Sequence, residues 1–250
     1  MATSVKEPSK GMGELPVTTR LLLSCGAIGP LLFIIVFLLE GATRTNYSPL
    51  RQPISSLSIG DLGWTQRTNF IIFGLLLLAF ALGLRRVLQP SRGTVWGPVL
   101  IGCVGIGLIG AGIFIADPFN GYPPGTPLVP TVRTVHGILH DLFGIPVFVG
   151  LPIACFVFGR HFARLGERGW ATYSVLTGFA VLMAFVLTNM GLNQVAGLAD
   201  FAGLFQRLLL ILGFTWITLL AVHMLRAPVR DFKKRGDEKP TSVVPSPREV

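Results

Sequence analysis

Apolar residues in this chain gather into six long runs, 21–39, 68–84, 94–116, 135–159, 170–192 and 208–225. Charged residues are kept between the runs, Asp141 excepted. Each run approaches the ~20 residues that carry a helix across a bilayer core of about 30 Å. Lipid offers no partners to backbone N–H and C=O groups, and the alternation along the runs is too weak for a barrel, so the pattern predicts helices. The expected fold is all-α, a six-helix transmembrane bundle. Its parts are a disordered N-terminal segment 1–19, the six-span domain 20–226 and a basic, disordered tail 227–250. The tail ends in a Pro- and Ser-rich stretch with too little apolar surface to fold alone. The first run is expected to stay as an anchor, since the polar start of the chain is not followed by a small-residue cleavage pattern.

Composition agrees with the pattern. The chain is 51% hydrophobic and 13% charged, with a mean hydropathy of +0.64, where a soluble domain carries roughly 25% charged residues. Charge adds an orientation. Sixteen of the 21 Lys and Arg residues fall on the side that holds both termini, and only Arg44, Arg51, Arg67, Arg133 and Arg207 on the other. The positive-inside rule then predicts cytoplasmic termini in an inner (plasma) membrane. The net charge of +9 needs no nucleic acid as partner; membrane lipids are the expected partners, through the basic juxtamembrane loops. Cys25, Cys103 and Cys155 lie inside the runs and read as packing thiols. Trp64, Trp96 and Trp170 sit at span ends, where aromatic anchors belong, and His161 and His223 read as interfacial residues. Small residues at Cys103, Gly107 and Ala111 suggest that the third span lies at the centre of the bundle.

Candidate chemistry concentrates on the outer side. The first outer loop, 40–67, contains Ile54, Leu57 and Ile59 with Ser55, Ser56 and Ser58 between them, a pattern for a short interfacial helix after Pro53 with its apolar side on the bilayer. The second loop begins at Asp117-Pro118, where proline stops the third span, and continues through a turn-rich stretch. The fourth span then carries His136 and His140 one turn apart, with Arg133 on nearly the same stripe. Asp141 points about 100° away from His140, toward a different helix such as the start of the sixth span with Asp200, Gln206 and Arg207.

Ionisable groups are costly inside a membrane, so they mark candidate sites. The expected site is an outer-leaflet polar network of Ser55, Ser58, Asp117, Arg133, His136 and His140 that handles a lipid or small amphiphile. A structural variant has His136, His140, Asp117 and Asp141 pairing with Arg133, Arg207 or Ser55 to fasten loop to bundle. The enzyme alternative is a metal-dependent hydrolase of a lipid amide or ester. There His136, His140 and Asp117 would fill three zinc positions, an activated water the fourth, and Asp141 would be the candidate catalytic base. A secondary transporter is the third class. It calls for ionisable residues near the bilayer midplane, which the middles of the spans lack.

Several segments together resemble a known family. They are the stretch 46–60, Gly63-Trp64, Asn69-Phe70 to Gly74, Ile113-Phe114-Ile115-Ala116-Asp117-Pro118, and Val135-His136-Gly137-Ile138-Leu139-His140-Asp141. In these the chain resembles the six-span bacterial membrane proteins called domain of unknown function 998, over roughly residues 18–226. That resemblance implies an inner-membrane protein without an assigned reaction. Ser55 or Ser58, Asp117, His136 and His140 are also similar in kind to the zinc-site residues of the membrane hydrolases that include alkaline ceramidases and adiponectin-type receptors. That superfamily has seven spans and a third histidine, which this chain lacks on the outer side.

Overall fold

The computed structural model of the chain describes residues 15–88, 95–130 and 132–226. Apart from residues 15–19, the expected N-terminal segment and the basic tail lie outside the described residues. Regular structure among the described residues is helical, with one isolated bridge between Phe119 and Tyr122. The helices are α1 (Val17–Thr43), α2 (Gly63–Val87), α3 (Trp96–Ile113), α4 (Val135–Ile145), α5 (Leu151–Arg164), α6 (Arg168–Leu192) and α7 (Ala202–Arg226). A π-helical turn, Pro146–Gly150, joins α4 to α5, so that Val135–Arg164 forms one span. Six helices are therefore long and apolar enough to cross a membrane. Most extend beyond the apolar runs: the 27 residues of α1 reach about 40 Å, close to a bilayer's width with its headgroups. The helix begins at Val17, inside the segment expected to be disordered.

The connections α1–α2, α3–α4 and α6–α7 emerge at one end of the bundle, called here the loop end. The start of α1, the end of α7 and the α5–α6 connection lie at the opposite, terminal end, and the α4–α5 join lies within its span.

Helices follow one another around a closed ring. Each packs on its neighbours in the chain, and α7 returns to pack on α1. Inward residues of α1 recur at helical spacing, Leu23, Gly26, Pro30, Phe33 and Phe37, while Ile28, Leu31, Ile35 and Leu38 remain exposed. An exposed surface this apolar suits lipid and would be a liability in water. Phe33, Phe73 and Phe214 fill the interior with ring centroids 4.8–5.5 Å apart. Near the terminal end, buried Trp216 donates its indole N–H to Ser174 at 3.0 Å. Cys155 is fully buried among these packed helices; Cys25 and Cys103 are half-buried.

The third span takes its place in this ring, and its glycines serve two flanks instead of a central position. Gly105 meets Gly74 of α2 so closely that a methyl group on either would sit 2.5–2.8 Å from the other's carbonyl oxygen. Gly107 meets the Phe143 carbonyl of α4 in the same way, and Gly110 leaves room for the Phe143 ring. Backbones can approach this closely only where side chains are missing.

Candidate functional site

At the loop end, the segment after α1 turns back into the bundle. Ile54–Ser58 forms a short 3-10 helix whose Ile54 and Leu57 are 1% and 0% exposed, so its apolar side packs on helices and not on the bilayer. This corrects the expected interfacial helix. A short amphipathic segment reads the same against lipid as against a bundle interior, and here polar groups on α7 decide between them. Gln206 accepts the backbone N–H of Ile54 at 2.6 Å. Arg207, 5% exposed, donates to the carbonyls of Pro49 and Gln52 at 2.6 and 3.0 Å and to the Tyr47 hydroxyl. Tyr47 passes its own proton toward the Pro53 carbonyl at 3.0 Å. Burial raises the Tyr47 phenol above its ordinary value, with the Arg207 charge opposing the shift. At Gly203 a methyl group would collide with the Gln52 carbonyl, so loop backbone lies directly on the helix. Arg207 thus holds the first loop and does not face Asp141.

Asn120 ties the three loops together. Fully buried and in the left-handed region at φ 56°, it donates to the Arg51 carbonyl at 2.6 Å and accepts from the Gln194 side chain at 3.0 Å. Asparagine tolerates that backbone region better than most residues.

Between α3 and α4 the expected ionisable cluster assembles, with roles the spacing did not show. Asp117 accepts from the backbone N–H of Thr134 at 3.1 Å and from its hydroxyl. Thr134 in turn caps α4 by accepting from Gly137 N at 3.0 Å. The carboxylate therefore stands at a helix N-terminus, where backbone N–H groups and the helix dipole favour negative charge. It presses on Gly137, where any side chain would collide with it. Arg133 precedes the helix instead of lying on its stripe. Its guanidinium bridges two carboxylates, Asp117 at 3.5 Å and Asp141 in direct contact. Asp141 is thus paired with Arg133, not with the start of the last span.

His140 is buried, and its Nδ1 lies 3.1 Å and 2.9 Å from the carbonyl oxygens of Ala111 and Phe114 at the end of α3. Two acceptors around one ring nitrogen require that nitrogen to carry the hydrogen, so Nε2 is left as an acceptor when the ring is neutral. The neighbouring Gly112 carbonyl is met by Arg67 Nε at 3.2 Å. Side chains from α2 and α4 thereby satisfy carbonyls that a helix terminus leaves open.

These groups border a cavity of about 410 Å³, within the size range of small-molecule sites. Ser55, Asp117, Arg133, His140 and Asp141 line it, and Pro53 and Ile54 of the first loop form part of its roof. Phe70, Leu108, Leu210 and Val147 supply apolar wall. Thr188, Asn189, Asn193 and Gln206 add uncharged polar groups from α6 and α7. Sequence reasoning passed over the two asparagines and Thr188: uncharged residues near a span end carry no hydropathy penalty that would mark them.

Two expected residues stand apart. His136 is exposed with its ring 5.8 Å from that of Phe114, and it does not line the cavity. Ser58 turns its hydroxyl back to the Ser55 carbonyl at 2.6 Å. Among the described residues, no three His, Cys, Asp or Glu side chains come together as a metal-binding group. Of the proposed zinc set, His136 lies outside the cavity, Asp117 is engaged by Thr134 and Arg133, and His140 donates through Nδ1 while Nε2 stays open. At the terminal end, His223 lies against Trp170, ring centroids 4.4 Å apart, with Glu167 3.0 Å from its Nε2. Trp64 and Trp96 are exposed at span ends, as anchors are.

A family model described as "Protein of unknown function (DUF998)" matches residues 27–223, a stretch that enters every one of the six spans. No curated protein matches the chain, and no solved structure does.

Proposed function

Because the chain belongs to the family described as protein of unknown function (DUF998), a description that names no reaction, its cavity must carry the argument. We propose that this six-span membrane protein binds a lipid or small amphiphile in the cavity between α3, α4, α6 and α7. The supporting observation is the cavity's division of labour: apolar wall from Phe70, Leu108, Val147 and Leu210, and a polar margin of Asp117, Arg133, His140, Asn189 and Asn193 toward the loop end. An amphiphile needs both halves. Catalysis is not required by this arrangement, since the carboxylates are engaged by Arg133 and Thr134.

The loop end faces the outer leaflet in this reading, supported by the five cations on that side against sixteen on the other. The membrane is then the plasma membrane, with both termini in the cytoplasm.

Mass spectrometry of lipid retained by detergent-purified protein tests the proposal. Wild type should retain bound lipid, and Leu210→Trp, which fills the cavity from α7, should retain much less. Unchanged retention in a Leu210→Trp protein that still melts cooperatively would defeat the reading.

A further inference from the structure

We infer that the ligand enters this cavity sideways from the membrane, through a gap between α4 and α6, and that it is an uncharged lipid with a hydroxyl head. This rests on the reading that the cavity takes an amphiphile.

The gap follows from the break in the fourth span. Pro146 has no N–H to continue the hydrogen-bond ladder, and the chain passes through the π turn before α5 resumes. Such turns bend helices. On the loop side of the break α4 packs on α3; beyond it α5 packs on α6. The rings of Phe148 and Phe185, stacked 5.6 Å apart, join the two sides at that level. Flanking this lip, Ile145 and Val149 line the cavity while remaining 52% and 41% exposed. Ile145 lies about ten residues into the span, roughly 15 Å from its start. At that depth an exposed apolar side chain faces acyl chains, so the cavity opens to lipid at hydrocarbon depth.

The head group is specified by what the margin still offers. Arg133 is shared by two carboxylates, and the trio carries one net negative charge. A phosphate would face both Asp117 and Asp141 across this net negative margin. Asn189 and Asn193 each spend one of their two amide hydrogens, on the carbonyls of Phe185 and Asn189, both at 2.8 Å. Their side-chain oxygens, and Nε2 of His140, remain as acceptors without a partner among the described residues. Three acceptors and the two amide hydrogens left over suit a group that both donates and accepts; a hydroxyl does both, whereas an ammonium only donates and a phosphodiester only accepts.

The experiment uses the full chain in vesicles of dioleoylphosphatidylglycerol containing dioleoylglycerol, extracted gently and read by native mass spectrometry. Wild type should retain dioleoylglycerol about tenfold over its share of the bilayer. Asp141→Asn, at a largely exposed carboxylate, should shift retention toward dioleoylphosphatidylglycerol. Ile145→Trp, which widens a side chain already facing lipid, should slow loading of dioleoylglycerol several-fold. Equal retention of both lipids by wild type and by Asp141→Asn would overturn the head-group assignment while leaving amphiphile binding intact. Normal loading of Ile145→Trp would overturn the lateral route. Retention of neither lipid would remove this inference and the binding proposal with it.

Discussion

A guanidinium buried in an apolar bundle is expensive unless its hydrogens are used, and the two terminal nitrogens of Arg207 use theirs on the backbone carbonyls of Pro49, Gln52 and Gly203 and on Tyr47, while its Nε–H has no partner among the described residues. Arg207→Ala removes the donor and strands the acceptors at once. We expect a loss on the order of 3 kcal/mol, seen as a lower thermal midpoint of the purified protein and new protease cleavage within 47–59. Arg207→Lys should recover part of it, because one ammonium cannot reproduce the fork. At this scale the chain was legible where charge met hydropathy. Asp117, Arg133, His140 and Asp141 stood out as ionisable groups at a span end, and all four border the cavity. Their pairing was not legible. Helical spacing places Arg133 with the histidines only if the helix already includes it, and α4 starts after Thr134. Asn189 and Asn193 left no trace, since uncharged amides near a span end do not stand out from hydropathy and matter only by lining the cavity.

The π turn decides the site at the scale of elements. The six apolar runs announced six helices, but no hydropathy window separates a continuous span from one that changes its winding at Pro146. Pro146→Ala restores the missing N–H and should let α4 run straight into α5. Spin labels at Leu142→Cys and Met190→Cys, both exposed on the flanks of the gap, should then report a changed and narrower distance distribution. An unaltered distribution would mean that packing against α3, not the proline, holds α4 away. The first loop teaches the complementary lesson. Its 3-10 segment was visible as an amphipathic stretch, yet the choice between bilayer and bundle rested on Gln206 and Arg207, some 150 residues away in sequence.

For the whole molecule, apolar length and charge asymmetry determine most of what can be known from composition. Helix number and class follow from backbone hydrogen bonding in lipid; closure of the ring does not, because it depends on which faces carry glycine. Orientation is open to direct measurement. A single cysteine placed at Thr126, in the α3–α4 loop, on a background without Cys25, Cys103 and Cys155, should react with a membrane-impermeant maleimide added outside intact cells. Reaction only after the cytoplasmic face is exposed would invert the topology and place the cavity in the inner leaflet.

Ring closure also sets an order of assembly. The loop between the first two spans is held by residues of the last, so during synthesis it waits for four further spans before its carbonyls find Arg207. Until then the Pro49 carbonyl and the Ile54 N–H lack Arg207 and Gln206, their partners in the last span. A nascent chain stopped short of α7 is therefore a protein with most of its membrane spans and no finished cavity. Such an intermediate displays an untethered polar loop that membrane quality-control proteases can read as incomplete.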